Sequence, residues 1–482
     1  MKQATKPQAE SGKTTKKAPQ EPNLTNMRLY QLCLLLLLCT CAFSPFGGSG
    51  GLRAQTSLSL SDAIQEGLAN NYQIRLAKAD LSVAENNIDD ALTGKRPTIN
   101  LGLNPGISYR NNTNPASIVA QSSTFAYGIG PSANLNWTLF NGGRIAMNRE
   151  RFETQATLSS EQLQVQVENT VADIVNAYYN AVVAQEQINV RRRVLDLSRD
   201  QIRYQEVRAE FGQGGTFNEL QAKDAYLSDS TLLINQQLQY ELAQRTLLQL
   251  MGTDDLNQEL TLTTDLDEVT EDYDRAALES QLLTSNSQLS ALRVNKVLAD
   301  INTRAIEAEK KPTVNFTAGA GFDYNLATGR QTFVFGDGMP DERPLPGIGA
   351  TTLTTNIGLG INYLIYDGGA RNVRVQTAKL QEITANLNVD AVAQQLRAAL
   401  ASSLDRYENQ RQVIAITRRL IANAEQNLAI AEERFRGGTI NSFDYRAIQL
   451  SYINAEFQLF NALLGLKNTE TEVLRLVGGI VD

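Results

Sequence analysis

The chain states one long pattern twice, and that repetition limits its possible folds more than any single motif does. In each half a helix-forming stretch leads to a proline, two alternating strands, an aromatic-(Asn/Asp)-Gly-Gly turn and two long helical segments. Setting Pro97 against Pro312 brings Asn71 onto Asn286 and Gln73 onto Gln288 without a gap. Asn141-Gly142-Gly143 then matches Asp367-Gly368-Gly369, after a longer loop in the second half. Such a duplication predicts a pseudo-symmetric structure whose strands and helices are built together. The halves are expected at 55–271, closing with a connecting belt at 252–271, and at 272–482.

Strands are expected at about 98–110, 125–140, 313–326 and 352–366, each apolar at every second residue. Ile99, Leu101, Leu103, Ile107 and Tyr109 share one side of the first, with Pro105-Gly106 read as a kink or bulge. Phe125, Tyr127, Ile129, Trp137 and Leu139 do the same in the second, opposite Gly128, Gly130, Asn134 and Asn136. Alternation alone also suits a sandwich with one wet face. Strand length and terminal aromatics favour membrane strands with lipid on one side and water on the other. Four strands leave two open edges, whose unpaired backbone groups are not tolerated in hydrocarbon, so the chain is expected to oligomerise. The 111–124 and 327–349 loops read as outward-facing, and Asp337, Asp341 and Glu342 as a solvated acidic loop.

Helices are expected at 144–210, 218–251, 370–436 and 442–476. The 144–210 run lacks proline and is rich in Gln, Glu, Ala, Leu, Val and Arg; at 1.5 Å per residue it spans roughly 100 Å. Such a helix needs partners along its length. Tyr445, Ile448, Tyr452, Ala455, Leu459, Ala462 and Leu466 keep coiled-coil spacing, and Val392, Leu396, Leu400, Tyr407, Ile414, Ile421, Leu428 and Phe435 form a comparable stripe. Shorter helices near 61–94 and 273–309 lead into the strand pairs.

Residues 1–54 read as a secretory leader: five lysines and Arg28 precede an apolar stretch at 32–43 that is too short to span a bilayer. Cys33, Cys39 and Cys41 all lie in it, so the exported chain would have no disulfide. The leader carries seven basic and two acidic residues, so its removal takes the net charge from −8 to −13. That balance does not suit a nucleic-acid binder. With no histidine, no cysteine beyond the leader and no phosphate loop, the chain lacks the groups of an enzyme, and no cofactor or metal is expected. A trimeric surface or adhesion fibre remains the alternative to a channel.

Trp137-Thr138-Leu139-Phe140-Asn141-Gly142-Gly143 and Tyr363-Leu364-Ile365-Tyr366-Asp367-Gly368-Gly369, together with Gly214-Gly215-Thr216-Phe217-Asn218 and Gly437-Gly438-Thr439-Ile440-Asn441, form an ordered set in both halves. This set resembles the TolC family of outer-membrane efflux proteins. The resemblance implies a mixed α/β membrane protein: a homotrimeric outer-membrane β-barrel with four strands per protomer, continuous with a coiled-coil periplasmic α-helical barrel. It further implies a passive exit duct for efflux or type I secretion, working with a periplasmic adaptor and an inner-membrane transporter of RND or ABC type.

Asn141, Gly142, Gly143, Asp367, Gly368 and Gly369 would then turn the barrel into the helices. Gly214, Gly215, Thr216, Asn218, Gly437, Gly438, Thr439 and Asn441 would form the helical tips and could meet the adaptor. Asn218, Asn441 and Ser442 suit the capping of the returning helices. Asp444 matches a family position where carboxylates of three subunits face the periplasmic entrance; Glu219 holds the related place in the first half. Where the family often has a second acid, this chain has Ala447, next to Arg446, which puts a double acidic ring in question.

Overall fold

The computed structural model describes residues 56–114, 116–213, 215–266, 271–334 and 339–481. The expected leader, Gly214 and Asp337 lie outside the described residues. A short strand β1 (Thr56–Leu58) precedes helices α1 (Leu60–Asn70) and α2 (Tyr72–Asn86) and a single turn at Asp90–Thr93. Strands β2 (Thr98–Thr113) and β3 (Val119–Asn141) follow, then helices α3 (Arg144–Glu210) and α4 (Thr216–Met251). Strand β4 (Leu260–Leu262) lies in the connecting segment, and the second half follows with α5 (Arg275–Ser285), α6 (Ser287–Glu307), β5 (Thr313–Val334), β6 (Pro340–Asn362), α7 (Ala370–Arg436) and α8 (Ser442–Leu476).

The helices leading into the strands are not continuous, as their sequences suggested, but broken at Asn71 and Asn286. Both asparagines leave the helical backbone, with ψ of 127° and 118°, and both are buried. Asn71 Oδ1 accepts from the amides of Gln73 (2.8 Å) and Ile74 (3.2 Å), starting α2, while Nδ2 donates to Leu250 O (2.6 Å) at the end of α4. Asn286 Oδ1 accepts from Leu289 N (2.9 Å), starting α6, while Nδ2 donates to Leu476 O (3.0 Å) at the end of α8. One side chain thus caps a helix start and satisfies a carbonyl at the end of another.

Strands β2, β3, β5 and β6 form an antiparallel sheet in chain order, so β2 and β6 are its edges. Leu101 and Ile357, on the apolar side of these edges, are 83% and 81% exposed, which marks that face as uncovered by this chain. The opposite face carries Gly102 and Gly106 of β2, Gly128 and Gly130 of β3, Gly319 and Gly321 of β5, and Gly358 and Gly360 of β6. Neighbouring side chains close over several of them: a Cβ on Gly319 would stand 2.7 Å from Asn356 Oδ1 and 2.8 Å from Asn134 Oδ1. Side chains converge on the concave side of a curved sheet, and glycine is the residue that permits the bend. The polar face is therefore the inner one.

Three strand expectations are corrected. The β2–β3 register runs unbroken through Pro105↔Ile129 and Gly106↔Gly128, so no bulge occurs there; β2 is an edge strand, where proline's missing donor is tolerated. Residues 327–349 are largely strand, because the β5–β6 ladder continues beyond a register shift at Ala327/Gly329 and is tied by an Arg330–Glu342 pair at 3.2 Å. Asp341 likewise meets Arg343 at 2.8 Å, so neither described acid of the expected loop is unpaired. At the other end β6 stops at Asn362, and Tyr363 to Tyr366 leave the ladder before the turn into α7.

Helices α3 and α7 each have 67 residues, and α4 and α8 return alongside them. Every residue of the two apolar stripes read from the sequence is buried or half-buried, including Leu396, Leu400, Tyr407 and Ile414 on α7 and Tyr445, Ala455, Ala462 and Leu466 on α8. The belt contributes β4, which pairs in parallel with β1. Tyr178 of α3 holds it by donating to Leu58 O (2.9 Å) and accepting from the amides of Thr263 (3.2 Å) and Thr264 (3.0 Å). Tyr407 of α7 exchanges bonds with the backbone of Glu271 beyond it.

The two asparagines give a matched test. Asn71→Ala and Asn286→Ala each remove a cap and strand a buried carbonyl, so each should cost about 2 kcal/mol. Thermal unfolding followed by circular dichroism should show similar losses in both variants; a neutral result in either would refute the equivalence.

Candidate functional site

The strand-to-helix turns repeat closely. Gly142 and Gly143 have φ of +75° and +94°, and Gly368 and Gly369 have +69° and +88°, a region open mainly to glycine. The residue before each pair caps the helix: Asn141 Oδ1 accepts from Ile145 N (3.0 Å), and Asp367 Oδ2 accepts from Arg371 N (2.8 Å). A Cβ on Gly142 would stand 2.5 Å from Ala308 O, so this turn also needs the space.

The tips do not repeat as closely. At the second tip Gly438 takes φ +71°; Gly438 N donates to Phe435 O (3.0 Å) and Thr439 N to Arg434 O (2.9 Å), closing the last turn of α7. Asn441 Oδ1 then accepts from Asp444 N (2.9 Å) and starts α8. At the first tip the left-handed residue among those described is Gly212 at φ +71°, three positions ahead of Gly215. Gly215 stands at the N-cap of α4 in extended backbone, and Asn218 lies inside the first helical turn; it does not cap as expected. Ser442 does not cap either. Its Oγ donates to Gln221 Oε1 (2.9 Å), joining the tips, and the Phe217 and Phe443 rings lie 6.1 Å apart beside it.

The three charged candidates occupy three different environments. Asp444 is exposed in the first turn of α8, and among the described residues its carboxylate has no ion-pair partner. Glu219 is neutralised by Lys223 at 2.5 Å, one helical turn on. Arg446 turns inward: its Nη2 lies 2.5 Å from Oδ1 of Asp229, a side chain that is 2% exposed on α4. Ser198 of α3 donates to the other Asp229 oxygen at 2.5 Å, so one buried carboxylate links three helices. Arg191 faces the same group from α3. Burial pushes its guanidinium below the ordinary range, against the attraction of Asp229 and in concert with repulsion from Arg446.

Asp229 and Ser198 were not foreseen. A signal existed: Asp229 stands seven residues from both Ala222 and Gln236, at heptad spacing on the seam of α4. An acid at such a position needs a buried cation, and Arg446 is that cation. Among the described residues, no group of three or more His, Cys, Asp or Glu side chains is placed to hold a metal ion.

A sheet with one lipid-compatible face and two open edges, continued by two helical hairpins, defines a subunit of a membrane channel with an extramembrane helical body. A model of outer membrane efflux proteins matches residues 63–253 and 278–479. The outer membrane efflux protein BepC of Brucella suis biovar 1 (strain 1330) is 25% identical over 429 residues, which cover 86% of each chain. The CmeC outer membrane channel of Campylobacter jejuni has a similar fold, with a TM-score of 0.70 at 16% identity, over 87% of this chain and 85% of that one. The open-state MtrE outer membrane channel of Neisseria gonorrhoeae gives a TM-score of 0.64 at 18% identity, over 88% and 89%.

The chain belongs to the outer membrane efflux protein family. It is an outer-membrane efflux channel component, with its strands in the outer membrane and its helices in the periplasm. The fibre alternative falls with that membership.

The buried pair at the tips can be tested directly. Asp229→Ala leaves Arg446 without its partner and should raise the rate of tryptic cleavage at Arg434 and Arg436 by about tenfold or more. Asp229→Leu combined with Arg446→Met, an apolar replacement, should return the rate toward that of the unaltered chain. Unchanged cleavage in Asp229→Ala would show that the pair does not hold the tips.

Proposed function

We propose that three copies close a twelve-stranded barrel, the β2 edge of each pairing with the β6 edge of the next, above a helical barrel that crosses the periplasm. The observation carrying this reading is the pair of open edges on a sheet whose apolar face is uncovered. Such edges are excluded from hydrocarbon unless other strands pair with them. The assembly acts as a passive exit duct. An adaptor meets the tips at Gly437-Gly438-Thr439 and Gly215-Thr216, and an inner-membrane transporter of RND or ABC type supplies energy.

Asp444 is the gate residue in this reading. Three Asp444 carboxylates at one level of a narrow entrance attract cations and repel anions. Support comes from Arg446, two residues on: it is bound to Asp229, so this nearby positive charge is directed away from the entrance and does not cancel the ring. Glu219, paired with Lys223, contributes less.

Single-channel recording in planar bilayers tests the duct and the gate together. The protein should give discrete conductance, and Asp444→Asn should lower its cation-to-anion permeability ratio about twofold. Gly438→Val forces a β-branched residue into the left-handed region and should impair efflux while trimers still assemble. Folded, inserted protein that never conducts would overturn the duct. Conduction with unchanged selectivity in Asp444→Asn would overturn only the gate.

A further inference from the structure

The inner face of the sheet has almost no charge. Over the paired segments 98–108, 126–141, 313–327 and 348–362, Asp323 is the single ionisable residue on that face. Asn, Thr, Ser and Gly fill most of the other inner positions. Register places Asp323 in a row with Asn104, Gly130 and Thr352, deep in the sheet. The next charge on the same face, Arg110, comes three rows further out, about 20 Å along the strand.

The carboxylate is also held in a definite position. Its Oδ1 occupies the space that a Cβ on Gly130 would fill, so the group lies flat across the neighbouring strand. Asn325 does the same one row outward, with Oδ1 2.5 Å from the Cβ position of Gly128. Two glycines thus accept two polar side chains pressed against the wall. Asn325 is neutral, whereas Asp323 fixes a negative charge there, and among the described residues no ion pair or hydrogen bond compensates it. An uncompensated carboxylate in a membrane-spanning strand is expected to face water and to act on what passes.

We infer that Asp323 is the charge-selecting residue of the barrel wall: it favours the passage of solutes bearing ammonium or guanidinium groups over anionic ones. Its position within the barrel makes this discrimination separate from that of Asp444 at the tips. The inference rests on the reading of the protein as a water-filled duct.

Thr352 pairs directly with Asp323 across the β5–β6 ladder, so Thr352→Cys puts a reporter thiol beside the carboxylate. In the full-length protein in lipid vesicles, this thiol is modified with a trimethylammonium-bearing and a sulfonate-bearing methanethiosulfonate, and mass spectrometry locates the label. The cationic reagent should react faster, and adding Asp323→Asn should lower the cation-to-anion rate ratio about fivefold at 0.1 M salt. Asp323→Glu, which keeps the charge, should preserve most of the ratio and shows that loss in Asp323→Asn is not a folding defect. A ratio that changes less than twofold in Asp323→Asn would overturn the inference while leaving the duct intact. A thiol that neither reagent reaches would show that this face is dry and would overturn the duct as well.

Discussion

Backbone pairing at the two outer edges of the sheet is the requirement on which the rest of this structure depends. β2 and β6 each present a row of donors and acceptors that this chain does not satisfy. In water such rows would be a route to aggregation; in a bilayer they are not tolerated at all. The same requirement explains why apolar residues gather on one face and glycines on the other. Closing a barrel bends the sheet toward its inner side, where Asn134 and Asn356 already crowd Gly319. Identical strands from other copies are the simplest supply of missing partners.

Pseudo-symmetry carries the connection between membrane and periplasm, and it is strictest where strain is greatest. Both strand-to-helix turns need two consecutive left-handed residues, and both use Gly-Gly. Both helix breaks use a buried asparagine with the same two tasks. The halves diverge at the tips, where the αL residue shifts from Gly438 to Gly212 and the acidic positions acquire different partners. Turns that change the type of secondary structure leave few chemical solutions, whereas a helix reversal in water has many.

Much of this was legible in the sequence because the signals were periodic or geometric. Strand parity, the coiled-coil stripes and the Gly-Gly turns rest on local rules that a single chain obeys. The helix breaks at Asn71 and Asn286 were missed because each depends on a carbonyl about 180–190 residues away, at Leu250 or Leu476. The outer ends of β5 and β6 were read as loop because beyond the bilayer neither face need be apolar, so alternation stops marking a strand. Arg446 was grouped with Asp444 as a gate residue because the two are close in sequence, yet residues two apart on a helix point about 200° apart. Its partner was fixed instead by Asp229 on a neighbouring helix.

That rotation has a consequence for how a passive duct can discriminate. A channel must attract a solute enough to admit it and hold it weakly enough to release it. Concentrated charge would trap cations, while a neutral wall would not distinguish them from anions. Among the described residues many charges are paired, including Lys223 with Glu219, Arg446 with Asp229 and Arg330 with Glu342. Asp323 on the sheet and Asp444 at a helical tip have no such partner among the described residues, and each leaves its carboxylate to the solvent. In a trimer these become two sparse rings, separated by helices of roughly 100 Å. That distance exceeds the Debye length at physiological salt about tenfold, so each ring biases its own end independently. On the proposed assembly the two rings together would favour cations along the route without forming a continuous binding path.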